Sequence, residues 1–255
     1  MSDSAPGEQP AAQPGRAGDN AAPTAADNSA TVLGPLLARA RAMFLDFDGP
    51  VCSVFAGYPA PQVAEDMRTE LLCHGMPLSE AGRGTGDPMK VLADAAKASP
   101  EGSRLAEKLL QAAELKCMPT AAPTPGAAEL IQAVIDSGRL VLVVSNNSAP
   151  AIRNYLELHG LDHLVHAVIG RDPQDATLMK PHPHLLQLAL KAAGCAPNEA
   201  VFIGDSISDV TAGQAARVPV IGYANKPHKV ECLANGTPAI VTRLQLVSET
   251  LNIFG

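Results

Sequence analysis

Met43-Phe44-Leu45-Asp46-Phe47-Asp48-Gly49 is the stretch around which the chain is organised. An apolar run that ends in two aspartates one residue apart, followed by glycine, reads as a buried strand carrying carboxylates to its C-terminal edge. That edge is where open α/β sheets hold ligands. Side chains alternate along a strand, so a turn after Asp46 is needed to bring both acids to one small site. Two acids so placed can bind a hard cation, attack an electrophile, or divide acid and base work between them. The plainer alternative is a strand that ends in solvated acids before a glycine turn.

Working outward, the segment after Gly126 alternates helix and strand in a doubly wound rhythm. Leu140-Val141-Leu142-Val143-Val144 and Ala200-Val201-Phe202-Ile203-Gly204 are continuously apolar, as parallel strands covered on both faces must be. Shorter strands are expected at 167–170 and 218–222, with helices between them and near 227–234 and 244–251. Residues 51–118 carry no strong strand but several amphipathic helical pieces, at 61–74, 88–98 and 102–115. They read as an all-helical insert, closed by the proline-rich 118–125. Within it, Gly82-Arg83-Gly84-Thr85-Gly86-Asp87 reads as a mobile loop, with Arg83 as a candidate anion contact. Residues 1–30 are rich in Ala, Pro, Gly, Asp and Ser and are expected to be a disordered tail.

The 255 residues are 46% hydrophobic and 18% charged, enough for one good core and a smaller second unit. A formal net charge of -7 weighs against a phosphate-backbone binder, and 3% aromatic residues weigh against a single-strand stacking platform. Five scattered cysteines form no CxxC pair and read as buried free thiols in a reducing cytoplasm. No run reaches the ~18 to 20 apolar residues of a membrane span. The expected setting is cytoplasmic, as a monomer or homodimer, with neither nucleic acid nor membrane as partner.

Right-handed crossovers place the strand ends on one side of a parallel sheet, and several of them carry polar groups. Ser145-Asn146-Asn147 offers a hydroxyl and backbone N–H groups before a helix, an anion cradle that would also serve as a helix cap. Gly204-Asp205-Ser206-Ile207-Ser208-Asp209 repeats the logic of the opening stretch. With Asp46 and Asp48 it makes a cluster of four acids, which repel strongly unless a cation is present, and oxygen-only ligands favour Mg2+ over zinc. Asp209 by itself also reads as a first-turn acid favoured by the helix dipole. Lys180, before Pro181, can neutralise an anion as a point charge.

The ordered set Asp46-x-Asp48-Gly49, Ser145, Lys180-Pro181 and Gly204-Asp205-x-x-x-Asp209 resembles the four motifs of the haloacid dehalogenase superfamily, and the helical insert resembles its type 1 cap. The resemblance implies an α/β fold: a Rossmann-like, doubly wound parallel sheet core at 31–50 and 119–255 with an inserted all-helical cap at 51–118. It implies that Asp46 is the nucleophile and Asp48 the general acid and base. Ser145 and Lys180 would hold the phosphoryl oxygens. Mg2+ would be bound by Asp46, the Asp48 carbonyl and Asp205, with Asp209 reaching it through water. Asn146 and, from the cap, Arg83 and Tyr58 are candidate substrate contacts. The expected function is a Mg2+-dependent phosphatase acting on a small phosphorylated substrate such as a sugar phosphate, a phosphoglycolate-like acid or a nucleotide monoester. A phosphomutase and a non-catalytic metabolite-binding protein are the alternatives. The superfamily's carbon-halogen hydrolases lack an acid two residues after the nucleophile, so Asp48 favours phosphoryl transfer.

Overall fold

The computed structural model describes Met1 and residues 25–254. The expectation of a disordered tail lies, for residues 2–24, outside the described residues. From Ala25 the chain is already helical: α1 spans Ala25–Arg39, so this helix begins before Thr31, where Leu33, Leu36 and Leu37 first show helical spacing in the sequence.

Next comes β1 (Ala42–Leu45), which leads into a two-residue strand, β2 (Cys52–Ser53). Four helices follow: α2 (Ala60–Cys73), α3 (Glu80–Gly84), α4 (Pro88–Ala98) and α5 (Pro100–Cys117). The chain returns through β3 (Ala122–Pro123), antiparallel to β2. The alternation then runs α6 (Ala127–Asp136), β4 (Leu140–Val144), α7 (Ala149–Leu158), β5 (Ala167–Ile169), α8 (His184–Ala193), β6 (Ala200–Gly204), α9 (Ile207–Ala216), β7 (Val220–Tyr223), α10 (Pro227–Ala234), β8 (Ala239–Val241) and α11 (Gln245–Phe254).

Six strands form one sheet in the order β5-β4-β1-β6-β7-β8, and every pairing in it is parallel. The direction of winding reverses at β1, which lies between β4 and β6 with Leu45 opposite Val143 on one side and Ile203 on the other. A sheet of this kind opens a crevice at such a reversal, beyond the C-terminal ends of the strands. The opening stretch therefore delivers its aspartates to the one place on the sheet edge that topology leaves open.

Alternation along the strands divides the core into two layers. Met43, Leu45, Val141, Val143, Val201 and Ile203 face α1, α6, α7 and α11. Phe44, Leu142, Val144 and Phe202 face α8 and α9. With both faces covered, every strand position is apolar, which accounts for the unbroken runs in the sequence. β8 escaped the sequence reading because three residues after a glycine turn carry no measurable periodicity.

Helices α2, α4 and α5 pack around a third cluster, including Val63, Met67, Leu71, Val91, Leu92, Ala106 and Leu110. Truncating one such leucine to alanine costs ~2–5 kcal/mol in typical cores. The expected mobile loop at 82–87 is in its first half a short helix. The Ser79 hydroxyl accepts from Gly82 N–H and donates to Asp94 at 2.6 Å, and a side chain at Gly82 would overlap the Asp94 carboxylate. Of the five free cysteines, Cys52 and Cys117 are buried, whereas Cys73 and Cys232 are exposed, so burial describes only part of the set. No helix among the described residues is long and apolar enough to cross a membrane.

Candidate active site

Asp46 is the first residue past β1, and its N–H still donates to Ile203 O at 2.9 Å. The turn that follows is tight: Val51 and Cys52 N–H both donate to Phe47 O, and Gly49 N–H donates to Cys52 O at 2.7 Å. Gly49 adopts φ +114°, and a Cβ there would overlap the Asp205 carboxylate. Glycine is thus required twice over, by backbone conformation and by space. The turn leaves Asp48 Oδ1 accepting from Val54 N–H at 3.0 Å, directly after β2.

Lys180 is buried and ties the ends of β1 and β4 to the first turn of α9. Its Nζ lies 2.8 Å from Asp46 Oδ1 and 2.6 Å from Asp209 Oδ1, and donates to Val144 O at 3.2 Å. Its backbone is held in turn by Asn146, whose Oδ1 accepts from Lys180 N–H at 2.7 Å and whose Nδ2 donates to Lys180 O at 3.0 Å. Asp209 works as a helix cap as well as an ion partner. Its Oδ2 accepts from Asp205 N–H, Ser206 N–H and the Ser206 hydroxyl. The bland reading of Asp209 and the functional one describe its two oxygens separately.

Carboxylate oxygens of Asp46, Asp205 and Asp209 all lie within 4.8 Å of one another. Burial first, and then the charge of Asp209, push the Asp46 carboxyl up to about 7 despite Lys180. Burial pushes Asp48 up to about 6 against the stabilising Val54 N–H. Burial also raises Asp205, partly offset by Lys229, which touches its Oδ2. For Lys180, burial alone would lower the pKa, but Asp209 and Asp46 outweigh it and hold the ammonium charged. This all-oxygen set of crowded acids has the chemistry of a hard divalent cation site.

A cavity of about 580 Å3 lies beside this cluster and meets it at Lys180, lined from the sheet side by Asp48, Asn146, Lys180 and Ser208 and from the helical side by residues of α2 and α4. Ser145 is buried beside it, with its hydroxyl donating to Asn147 Oδ1 at 3.1 Å and accepting from Asn147 N–H. Asn146, expected as a substrate contact, does line the cavity. Tyr58 and Arg83 do not. The Tyr58 hydroxyl instead donates to Asp66 and its ring carries Lys116 Nζ at 4.5 Å, while Arg83 is exposed in the last turn of α3. A sequence shows that a cap helix carries cations and aromatics but not which way each faces.

Sequence reasoning missed a second cluster directly behind the Ser145 turn. Arg171, buried, forms a fork with Glu107 (2.6 and 3.0 Å) and pairs with Glu114 at 2.6 Å. Glu114 also accepts from Asn147 Nδ2 and Ser148 N–H, each at 3.0 Å. Glu107 and Glu114 are seven residues apart on α5, hence on one helix face. That spacing, with a lone arginine after a strand at Gly170-Arg171, was the available signal. Lys229 left none.

A family model for haloacid dehalogenase-like hydrolases matches residues 62–223. Asp46 and Asp48 precede the matched segment, so their place in the site rests on the geometry above. A phosphoglycolate phosphatase from Haemophilus influenzae is 32% identical over 38% of this chain and 43% of its own length. A pyrophosphatase, PpaX, from Bacillus pumilus is 31% identical over 50% and 57%. The chain thus spans about half the length of the curated relatives it matches. Among solved structures, a subfamily IA hydrolase of the same superfamily from Geobacter sulfurreducens aligns with TM-score 0.54 and 24% identity over 85% of this chain and 97% of that one. CbbY from Rhodobacter sphaeroides, solved with phosphate, aligns with TM-score 0.59 and 15% identity over 80% and 95%. These likenesses establish the fold.

Proposed function

This chain belongs to the haloacid dehalogenase-like hydrolase family, and from that premise we propose that it is a phosphatase releasing inorganic phosphate from a small phosphomonoester through a covalent intermediate on Asp46. The observation that carries the reading is the Lys180 clamp. A buried ammonium fixes Asp46 at the sheet edge within a cluster of acids, and Asp48 lines the cavity two residues away.

In the first step an Asp46 carboxylate oxygen attacks phosphorus in line. The ester P–O bond breaks, its electron pair stays on the leaving oxygen, and Asp48 gives that oxygen a proton. In the second step the Asp48 carboxylate takes a proton from water while the water oxygen attacks phosphorus. The Asp46–phosphorus bond then breaks, returning the carboxylate and releasing phosphate. Asp48, pushed up to about 6, keeps a protonated fraction near neutral pH and can still be deprotonated for the second step, as a residue with two duties requires. Lys180 bears on the transferring oxygens with its buried positive charge. Asp46, Asp205 and Asp209, with the Asp48 carbonyl, would hold Mg2+, which would offset negative charge on the phosphoryl group. Helices α2–α5 act as the cap, covering the cavity and excluding water.

Phosphate release from p-nitrophenyl phosphate in the presence of Mg2+, compared between the wild type and Asp46→Asn, tests this reading. Release that survives the substitution sinks it.

A further inference from the structure

We propose that the cavity selects phosphomonoesters whose leaving group is uncharged and largely apolar, rather than substrates with a second anion. The inference rests on the phosphatase reading above and names the substrate class of that same site. Its basis is the lining of the cavity away from the phosphoryl end. Phe55, Ala60, Pro88, Met89, Ala93 and Met179 supply most of that wall. The charged groups there are Asp87 and Lys90, which cancel formally. Asp87 already accepts from Met89 N–H at 2.9 Å, and the Lys90 side chain is 74% exposed, with its ammonium 4.0 Å from Asp87.

No other cation of the helical side reaches the wall. Arg68 is bound to Thr85 O and Glu65 and Arg104 to Glu101 at 2.8 Å, while Arg171, from the loop after β5, is held by its two glutamates. Lys180, on the sheet side, is shared between Asp46 and Asp209. A substrate with two anionic ends, such as a phosphorylated carboxylic acid or pyrophosphate, would set its second charge beside Asp87 with one solvated lysine to answer it, and exposed pairs of that kind contribute little. An apolar leaving group loses no hydration of charge and covers the phenyl, thioether and methyl surface of the wall. The volume, about 580 Å3, lies within the range of sites that enclose ligands larger than a two-carbon acid, ~300–1,000 Å3. Little polar recognition is left for the leaving group: both ends of the Asn146 amide are engaged by the Lys180 backbone, and the Ser208 hydroxyl lies 2.8 Å from that of Ser206.

The test compares kcat/KM for 1-naphthyl phosphate, 2-phosphoglycolate and pyrophosphate with Mg2+ present. The expected result is a value for 1-naphthyl phosphate at least tenfold above either of the others, with Phe55→Ala raising its KM more than it lowers kcat. Equal or higher kcat/KM for phosphoglycolate or pyrophosphate overturns the inference and leaves the phosphatase reading standing. The dissociation constants of the same three compounds for Asp46→Asn, measured by calorimetry, give an arm independent of turnover. Tighter binding of 1-naphthyl phosphate with no phosphate release by the wild type from any ester supports the selectivity and overturns the hydrolytic reading. The reverse order of affinities overturns the selectivity.

Discussion

Lys180 and Arg171 are both buried, and each faces two carboxylates, yet they do opposite things. Arg171 sits in a closed set: its planar fork meets Glu107 and Glu114 from one helix, and its remaining reach goes to Asn146 O at 3.0 Å. Lys180 is a point charge divided between Asp46 and Asp209, with Asp48 and Asp205 adding negative charge nearby. The arginine cluster is matched in shape and direction, as guanidinium pairs allow. The lysine cluster is left with surplus acid, and burial first, then the crowding of like charges, pushes its carboxyl groups up from the ordinary aspartate range. A buried ion group that satisfies itself holds structure together; one that does not is poised for a ligand.

The contrast can be broken most severely at its nucleophile. Asp46→Asn should lower the rate of phosphate release by more than about 10^4-fold, with an unchanged circular dichroism spectrum, whereas no conservative change around Arg171 should approach that loss. Next in size, Arg171→Met strands two buried glutamates and should cost ~3–5 kcal/mol in a urea titration. Replacing Glu107 and Glu114 by Gln in the same chain should recover much of it, and a variant that stays as unstable as Arg171→Met would refute the pairing. Adding Mg2+ to ~100 times its dissociation constant should raise unfolding stability by about 2.7 kcal/mol. The gain should vanish in Asp205→Asn and persist when the arginine cluster is altered.

The smallest expected effect is on pH dependence, read in metal-free protein. Asp48 has a folded pKa of about 6 against 3.8 for a free aspartate. Between those values the folded protein holds a proton that the unfolded chain has lost, so stability should fall as pH rises from ~4 to 6, by on the order of 2 kcal/mol. Asp46, pushed up to about 7, extends the same downward slope toward neutral pH. Asp48→Asn should flatten the lower part of the curve in urea midpoints taken from pH 4.5 to 7.5. A curve that steepens instead would mean that Asp48 is stabilised as a carboxylate in the fold.

How much of this was legible in advance follows from which interactions are local. The strands β1, β4 and β6 were readable because burial on both faces leaves continuous apolar runs, and the strand-end acids because they are adjacent in sequence to those runs. The positions of Asp46, Ser145, Lys180 and Asp205 at one edge follow from crossover handedness. What could not be read is orientation on solvated helices: Tyr58 and Arg83 have suitable chemistry but face Asp66 and solvent. The Arg171 group was hidden for a different reason. Its partners are 64 and 57 residues away, and only the seven-residue spacing of the glutamates hinted at a shared face. The start of α1 at Ala25 shows the same limit, since alanine and polar residues reveal little periodicity.

The paired strands β2 and β3 carry a consequence for how this molecule can be taken apart. They bring the outgoing and returning chain side by side, with Thr124 N–H donating to Val51 O at 3.1 Å and its hydroxyl to Gly49 O. In connectivity, therefore, the four helices are a detachable cassette, replaceable by a short turn or by the corresponding segment of another protein. Electrostatically they are not, because α5 owns both counter-charges of Arg171. A transplanted cassette that lacks glutamates at the places of Glu107 and Glu114 would leave an unanswered guanidinium beside the Ser145 turn. Recombination at this junction should succeed only when the helix and the arginine are exchanged together.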